Sequence, residues 1–450
     1  MRADIVDKIR AAGVVGAGGA GFPTHVKVQF EVEQVLGNGA SCEPLLVSDP
    51  HLIEHQTDLI LDGLTTVMDC TNAGKGFICI KSKHRRALEK LKTTIAGNGY
   101  ARHIDVFALE DYYPAGDEFI LVNEVIGKIV PEGGIPLNVL AVVCNVESLL
   151  NVSRAMAGQP VTDRYLTVCG EVRRPVICKV PVGTPADEVI RLAGGPRIDD
   201  YGIVMGGPMM GKVLAGNQEP ITKTSSGLIV LPRNHSIIRD KQRDIERMRF
   251  IAKAACTQCS RCTDLCPRNL IGHSLQPHKI MRHLAYQPGM EGEILEDALI
   301  CSECGVCEKF ACPMMLSPRE INSVLKRKCL EQGIKRTPKR NTYKVSPFFD
   351  TRKVPVRRLM ERLEVVKYDT HPEFYTEEVQ ISKVKILLRQ HLGQPAVPVV
   401  SEGDRVRKGD LIGEIPSGAL GARVHASIDG TVTAIDDQQI VIQKQGANGA

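Results

Sequence analysis

The chain has 450 residues, 43% hydrophobic and 24% charged, enough for about three domains with cores of their own. A formal net charge of +5 is too small to argue for nucleic acid, and 4% aromatics without Trp leaves few base-stacking surfaces. No apolar run approaches the ~20 residues that cross a bilayer, and the fifteen Cys read as ligands and buried thiols rather than disulfides.

The first segment, "MRADIVDKIRAAGVVG", lacks the apolar core of a signal peptide and predicts a short amphipathic helix, so the chain is expected to be soluble and unprocessed. "GVVGAGGAGFPTHVK" follows, where Gly13, Gly16, Gly18, Gly19 and Gly21 let the backbone turn sharply and approach a ligand. The loop follows a helix, not a strand, so it lacks the context of a dinucleotide fingerprint, and alone it reads equally as a connector. Further motifs come in order. Lys27 suits a phosphate, with Phe22 and Phe30 as stacking surfaces; "LGNGASCEP" supplies Asn38 and Glu43; "YYPAGDEFIL" supplies Asp117 and Glu118; "VVCNVESLLNV" supplies Asn145 and Ser148.

Over residues 10–155 this series resembles the NADH- and FMN-binding flavoprotein subunit of respiratory complex I and the C subunit of the Rnf complex. The resemblance implies that Gly18, Gly19, Lys27, Asn38 and Asn145 bind FMN. It also implies that Phe22, Phe30 and Glu118 serve NADH, although complex I has Glu-Glu where this chain has Asp117-Glu118. Cys79 and Cys144 sit in apolar runs and are expected to be buried strand residues.

"RYLTVCGEVRRPVICKVPVGTPADEVIRLAGG" predicts two β-rich runs and an amphipathic helix that starts after Gly-Thr-Pro. With "VMGGPMMGKVL" it resembles the soluble-ligand-binding β-grasp (SLBB) module. Its residues name no ligand, and a spacer role is equally open.

"CTQCSRCTDLCPRNL" and "CSECGVCEKFACPMM" carry the densest signal. Each has three thiols at C-x₂-C-x₂-C spacing and a fourth before a Pro. Three thiolates on one tight loop reach three irons of a cubane, and the fourth ligand comes from the partner run, as in two-cluster ferredoxins. Cys256, Cys259, Cys262 and Cys312 are thus assigned to one [4Fe–4S] cluster, and Cys301, Cys304, Cys307 and Cys266 to the other. Zinc knuckles would instead use C-x₂-C pairs. The second run has four residues between Cys307 and Cys312 where three are usual, so its loop is expected to bulge.

"KRTPKRNTYKVSPFFDTRKVPVRRLMERL" is basic and Pro-containing and reads as a solvated surface linker. The tail, with "VSEGDRVRKGDLIGE" and "VHASIDGTVTAI", resembles the two halves of a lipoyl- or biotin-type barrel-sandwich. Its hairpin tip reads "SIDGT", with no Lys to modify, so a structural or docking role replaces a swinging arm.

The expected fold is multidomain α/β and α+β. It comprises an FMN/NADH domain (1–158), an SLBB-type β-grasp (159–235), a two-cluster ferredoxin-like insert (245–332), a basic linker (333–380) and a barrel-sandwich (381–450). In the Rnf C subunit the barrel-sandwich comes first. Its C-terminal place here resembles the cobalamin reductase family of the propanediol-utilisation bacterial microcompartment. That resemblance implies electron transfer from NADH through FMN and two [4Fe–4S] clusters to cobalamin, from cob(III) through cob(II) to cob(I). It further implies a cytoplasmic site within a microcompartment, shell or enzyme partners, and a corrinoid met free or presented by an adenosyltransferase. No nucleic acid or membrane span is expected. Two alternatives stay open: the electron-input C subunit of an Rnf-type ion pump, and a non-enzymatic Fe–S conduit.

Overall fold

The computed structural model describes residues 2–286, 296–336, 338, 340, 342–377 and 379–444. Residues 287–295 of the predicted insert and the last six of the tail lie outside the described residues.

The N-terminal module is built on β1 (Gln34–Asn38), β2 (Lys75–Lys81), β3 (Ile104–Leu109) and β5 (Ala141–Asn145), with a short β4 (Tyr112–Tyr113) set apart. The four long strands form a parallel sheet in the order β3-β2-β1-β5. Alternate residues serve opposite faces, as period-2 side chains must. Val35, Val142 and Cys144 join one core with helices Thr57–Thr71 and Val146–Met156, while Leu36 and Val143 join another with Leu121 and Val122. Cys79 and Cys144 are buried, at 0% and 4% exposure.

The second module is a six-stranded mixed sheet. β6 (Asp163–Gly170), β7 (Val176–Pro181), β8 (Tyr201–Met205), β9 (Lys212–Val213) and β10 (Gly227–Pro232) carry helix Ala186–Leu192 on one face. The insert packs helices Ile245–Ala255, Pro277–Tyr286 and Pro318–Glu331 around Ala252, Ile280, Met281, Ile321 and Leu325.

The segment read as a solvated linker is partly a core element. β11 (Val354–Pro355) pairs antiparallel with β4, and β12 (Glu373–Phe374) pairs parallel with β7 at the edge of the β-grasp sheet. Between them, Val356, Leu359, Met360, Leu363 and Val365 are buried in one core with Tyr113, Ile229 and Cys304. Arg357, Arg358 and Arg362 occupy the solvent side of helix Val356–Arg362. The charge count described that outer face and concealed the apolar stripe beneath it.

The tail folds as two small sheets facing each other. One contains β13 (Lys383–Leu387), β15 (Arg405–Val406), β18 (Gly430–Ile435) and β19 (Gln439–Gln443). The other contains β14 (Val397–Pro398), β16 (Leu411–Glu414) and β17 (Val424–His425). The tip that would carry a swinging Lys is docked instead: Ser427 is fully buried and its Oγ donates to the Val182 carbonyl at 2.6 Å.

Lys223 ties three modules together. It is 3% exposed, and its Nζ donates to the carbonyls of Gly13 at 2.8 Å and Arg423 at 2.7 Å, with no ion pair among the described residues. Burial lowers its pKa from 10.5 to about 7. Between those values the unfolded chain holds a proton that the folded chain releases, so stability rises with pH across that window. Replacement by Met is expected to remove this slope. Urea midpoints across the window would measure it, and an unchanged slope in the variant would defeat the assignment.

Candidate functional site

The carboxyl ends of β1 and β5 form the natural ligand crevice of the parallel sheet. The chain order reverses between these strands, and open α/β sheets bind ligands outside the strand ends at such a point. Asn38 and Asn145 are the last residues of the two strands and lie in register with each other. Asn38 Nδ2 donates to the Gly116 carbonyl at 2.9 Å. Asn145 Oδ1 caps helix Val146–Met156 through Glu147 N, and its Nδ2 donates to Asp49 Oδ2 at 3.1 Å. Burial pushes the Asp49 carboxyl up to about 6.

The Gly-rich loop roofs this crevice. A Cβ on Gly18 would stand 2.9 Å from Asn145 Nδ2, so any larger residue would have to push Asn145 aside. Gly19 has open space around its missing side chain. The loop is held from behind. Ala17 N donates to Ser148 Oγ at 2.8 Å, and Arg164 Nη2 donates to the Ala17 carbonyl at 3.0 Å. Arg164 also forms a buried ion pair with Glu147. Sequence reasoning missed Asp49 and Arg164, whose partners are distant in the chain; it included Glu147 only as part of the Asn-Val-Glu segment, without its partner.

Lys27 lies beside the crevice. Its Nζ donates to the Val143 carbonyl at 2.8 Å, stands 3.7 Å from Glu118 Oε1 and lies 5.9 Å from the Phe22 ring centroid. Glu118 is half-exposed, so Lys27, Phe22 and Glu118 make one group at the mouth. Phe30 does not join them. It is 51% exposed and precedes the amino end of β1, the end opposite Asn38. Asp117 is also employed elsewhere: it caps helix Glu118–Ile126 and pairs with Arg268 of the insert. Glu43 turns away from the crevice and accepts from Met209 N and Met210 N of the Gly-Gly-Pro-Met loop.

The eight thiols fall into two groups. Cys256, Cys259, Cys262 and Cys312 line one apolar pocket, with His278, Met281, Met314 and Leu316. Cys266 lies with Cys301, Cys304 and Cys307, near enough for their charges to interact. Both triplets share one backbone pattern. Gln258 and Ser260 in the first (φ 55° and 60°) and Glu303 and Gly305 in the second (φ 59° and 78°) are left-handed at matching positions. Such turns cost non-glycine residues on the order of 1 kcal/mol, and here they turn successive thiols to one side. The extra residue of the second run is absorbed in a π-helical turn, Cys307–Ala311, the local form a one-residue insertion takes.

Among the described residues, no three His, Cys, Asp or Glu side chains converge on a single metal ion. A cubane asks for something else, one thiolate per iron, and two groups of four thiols meet that need. Donors already point at the sulfurs: Gln258 Nε2 to Cys256 Sγ at 3.1 Å, Glu303 N to Cys301 Sγ at 3.3 Å and Leu316 N to Cys312 Sγ at 3.4 Å. Burial pushes the Cys262 and Cys266 thiols up to about 12, so a bare thiolate is disfavoured and bound iron would supply the missing positive charge.

Comparison with known proteins assigns each module. Residues 9–154 match the Nuo51 FMN-binding domain and 165–213 the SLBB domain. Residues 255–317 match a 4Fe-4S dicluster domain and 367–449 the RnfC barrel sandwich hybrid domain. The chain is 43% identical over 440 residues to cobalamin reductase PduS of Salmonella typhimurium, spanning 98% of this chain and 96% of that protein. It is 42% identical to cobalamin reductase PduS of Citrobacter freundii, spanning 97% and 96%. The C subunit of the Na⁺-translocating ferredoxin:NAD⁺ oxidoreductase complex of Acetobacterium woodii is 32% identical over 60% of this chain and 59% of its own length.

Proposed function

The chain belongs to the family of cobalamin reductase PduS, and from that premise we propose that it reduces a corrinoid with electrons from NADH, through FMN and two [4Fe–4S] clusters. The observation that carries this reading is similarity along the whole chain, through all four modules. A bound flavin supplies the exchange between hydride, which carries two electrons, and the single-electron steps from cob(III) to cob(II) to cob(I).

Within the crevice, the Gly18 and Gly19 backbone, Asn38 and Asn145 would hold FMN, and Lys27 would meet its phosphate. Phe22 and Glu118 at the mouth would meet NADH; Phe30 and Asp117 are left out by their positions. Cys256, Cys259, Cys262 and Cys312 would hold one cluster, and Cys301, Cys304, Cys307 and Cys266 the other. The ion-pump alternative is less well supported. The Acetobacterium relative from such a pump aligns over only 60% of this chain, and the barrel-sandwich here lies at residues 367–449, after the cluster module. Residence in a microcompartment, with the corrinoid met free or presented by an adenosyltransferase, completes the proposal.

Anaerobic purification, cofactor extraction and NADH-dependent reduction of hydroxocobalamin test the reading. Flavin, iron and labile sulfide are expected together with cob(I) formation; a flavin-free protein would favour the passive conduit. Lys27→Ala is expected to weaken FMN about tenfold or more, since a hydrogen bond from a charged donor contributes ~1.5–3 kcal/mol. Iron content should not change. Full retention of FMN in that variant would move the phosphate site away from Lys27.

A further inference from the structure

The two thiol groups differ in where they sit. Cys266, Cys301, Cys304 and Cys307 are all buried, at 7–8% exposure. Cys259 is exposed, and Cys256, Cys262 and Cys312 are partly so, at the open pocket. The buried group also adjoins the flavin crevice. Asn38 Nδ2 donates to the Gly116 carbonyl at 2.9 Å, and Gly116 N donates to Cys42 Sγ at 2.6 Å. Three residues back along the same turn, the buried Tyr113 hydroxyl donates to the Cys304 carbonyl at 2.7 Å. A second tie runs from Asp117 to Arg268, two residues from Cys266, with the Arg268 guanidinium 4.0 Å from the Phe119 ring centroid. Asn38, at the floor of the crevice, is therefore joined to the backbone of the second Cys run by two hydrogen bonds and one short stretch of chain.

The open pocket belongs to the other group. It is walled by the insert's own Ala255, His278 and Met281 and by Met314, which is 47% exposed. A mostly apolar lining around partly exposed thiols lets a partner approach a bound cluster with few strongly hydrated groups to displace.

We infer that the thiols fix the order of electron flow: Cys266, Cys301, Cys304 and Cys307 hold the inner cluster, which receives from the flavin. Cys256, Cys259, Cys262 and Cys312 hold the outer cluster, from which electrons leave for the acceptor. Tyr113 is a positioning residue at the inner junction. The balance is simple: each NADH yields NAD⁺, one proton and two electrons, and the electrons leave singly to reduce two equivalents of a one-electron acceptor. The order rests on the function proposed above, and it would fall with that function if the wild-type protein lacked flavin or iron, which cofactor analysis decides first.

The test uses the intact holoenzyme, reduced with dithionite, and the electron paramagnetic resonance signals of its two clusters. Cys262→Ser and Cys304→Ser each remove one signal and so identify it. An aqueous dysprosium chelate is expected to speed relaxation strongly for the signal that Cys262→Ser lacks and weakly for the other. With NADH as donor, the cluster left in Cys262→Ser should reduce at the wild-type rate. In Cys304→Ser the flavin should still be reduced, while fast reduction of the remaining cluster is lost. Equal relaxation of both signals, or the reverse pattern in either arm, overturns the order. Should Cys304→Ser fail to fold, the chelate measurement on wild type and Cys262→Ser decides alone.

Discussion

Cys262→Ala, prepared without oxygen, is expected to carry about four irons in place of about eight, to keep its flavin, and to lose most cob(I) formation. Cys262 belongs to the thiol group that lines the open pocket, and its own side chain is not part of the insert's core of Ala252, Ile280, Ile321 and Leu325. NADH oxidation by an artificial acceptor that takes electrons directly from the flavin should therefore persist. The step from cob(II) to cob(I) is the one to follow, because free flavin can reduce cob(III) unaided. Equal loss of both activities, with flavin retained, would place the clusters outside the path. Undiminished cob(I) formation would show that the flavin alone serves the corrinoid. Zinc in place of iron and sulfide would defeat the cluster assignment itself.

The thiols were legible in the sequence because cluster ligation is mostly local: three ligands fall within seven residues, and the spacing states the chemistry. The crevice was not legible in that way. Asn38 and Asn145 are 107 residues apart, and what makes them neighbours is a strand register set by β1 and β5, each a short apolar run. Only resemblance to a known family singled them out. Phe30 came by the same route; it is 51% exposed and precedes β1, outside the group that Lys27, Phe22 and Glu118 form. The acidic pair divides for a physical reason. "GDEF" is a helix start, and Asp at the N-cap satisfies backbone donors first, leaving Glu118 to face Lys27.

Buried charge was the least legible feature. "VPVRRLMERLEVV" holds apolar residues at 354, 356, 359, 360, 363 and 365, which is a helical stripe with strand-like ends, but its arginines dominate any charge count. Arg164 in "TDRYLT" gives no local sign of burial either. An Arg next to an Asp at a strand end ordinarily faces water. Here it is 3% exposed because Glu147, 17 residues earlier, meets it inside the protein.

That buried pair carries a large expected stability effect. Arg164→Ala should destabilise the flavin module by ~3–5 kcal/mol, since removing one partner leaves the other charge buried and uncompensated. Glu147 would be that charge, at 1% exposure, keeping only the bond from Tyr165 N at 3.2 Å. Burial already pushes its carboxyl upward and Arg164 opposes this, so in the variant Glu147 should take up a proton at higher pH. Two further bonds go with the guanidinium, to the carbonyls of Ala17 and Ser225. The first steadies the Gly-rich loop, so flavin retention should fall together with the urea midpoint. The double variant Arg164→Met with Glu147→Leu separates these effects. It removes both charges, so most of the stability should return, while the loop still lacks its donor and flavin stays weakly held. Recovery of flavin along with stability would mean that Arg164 serves only the fold. No recovery of stability would mean that the cost lies in lost packing rather than in the stranded carboxylate.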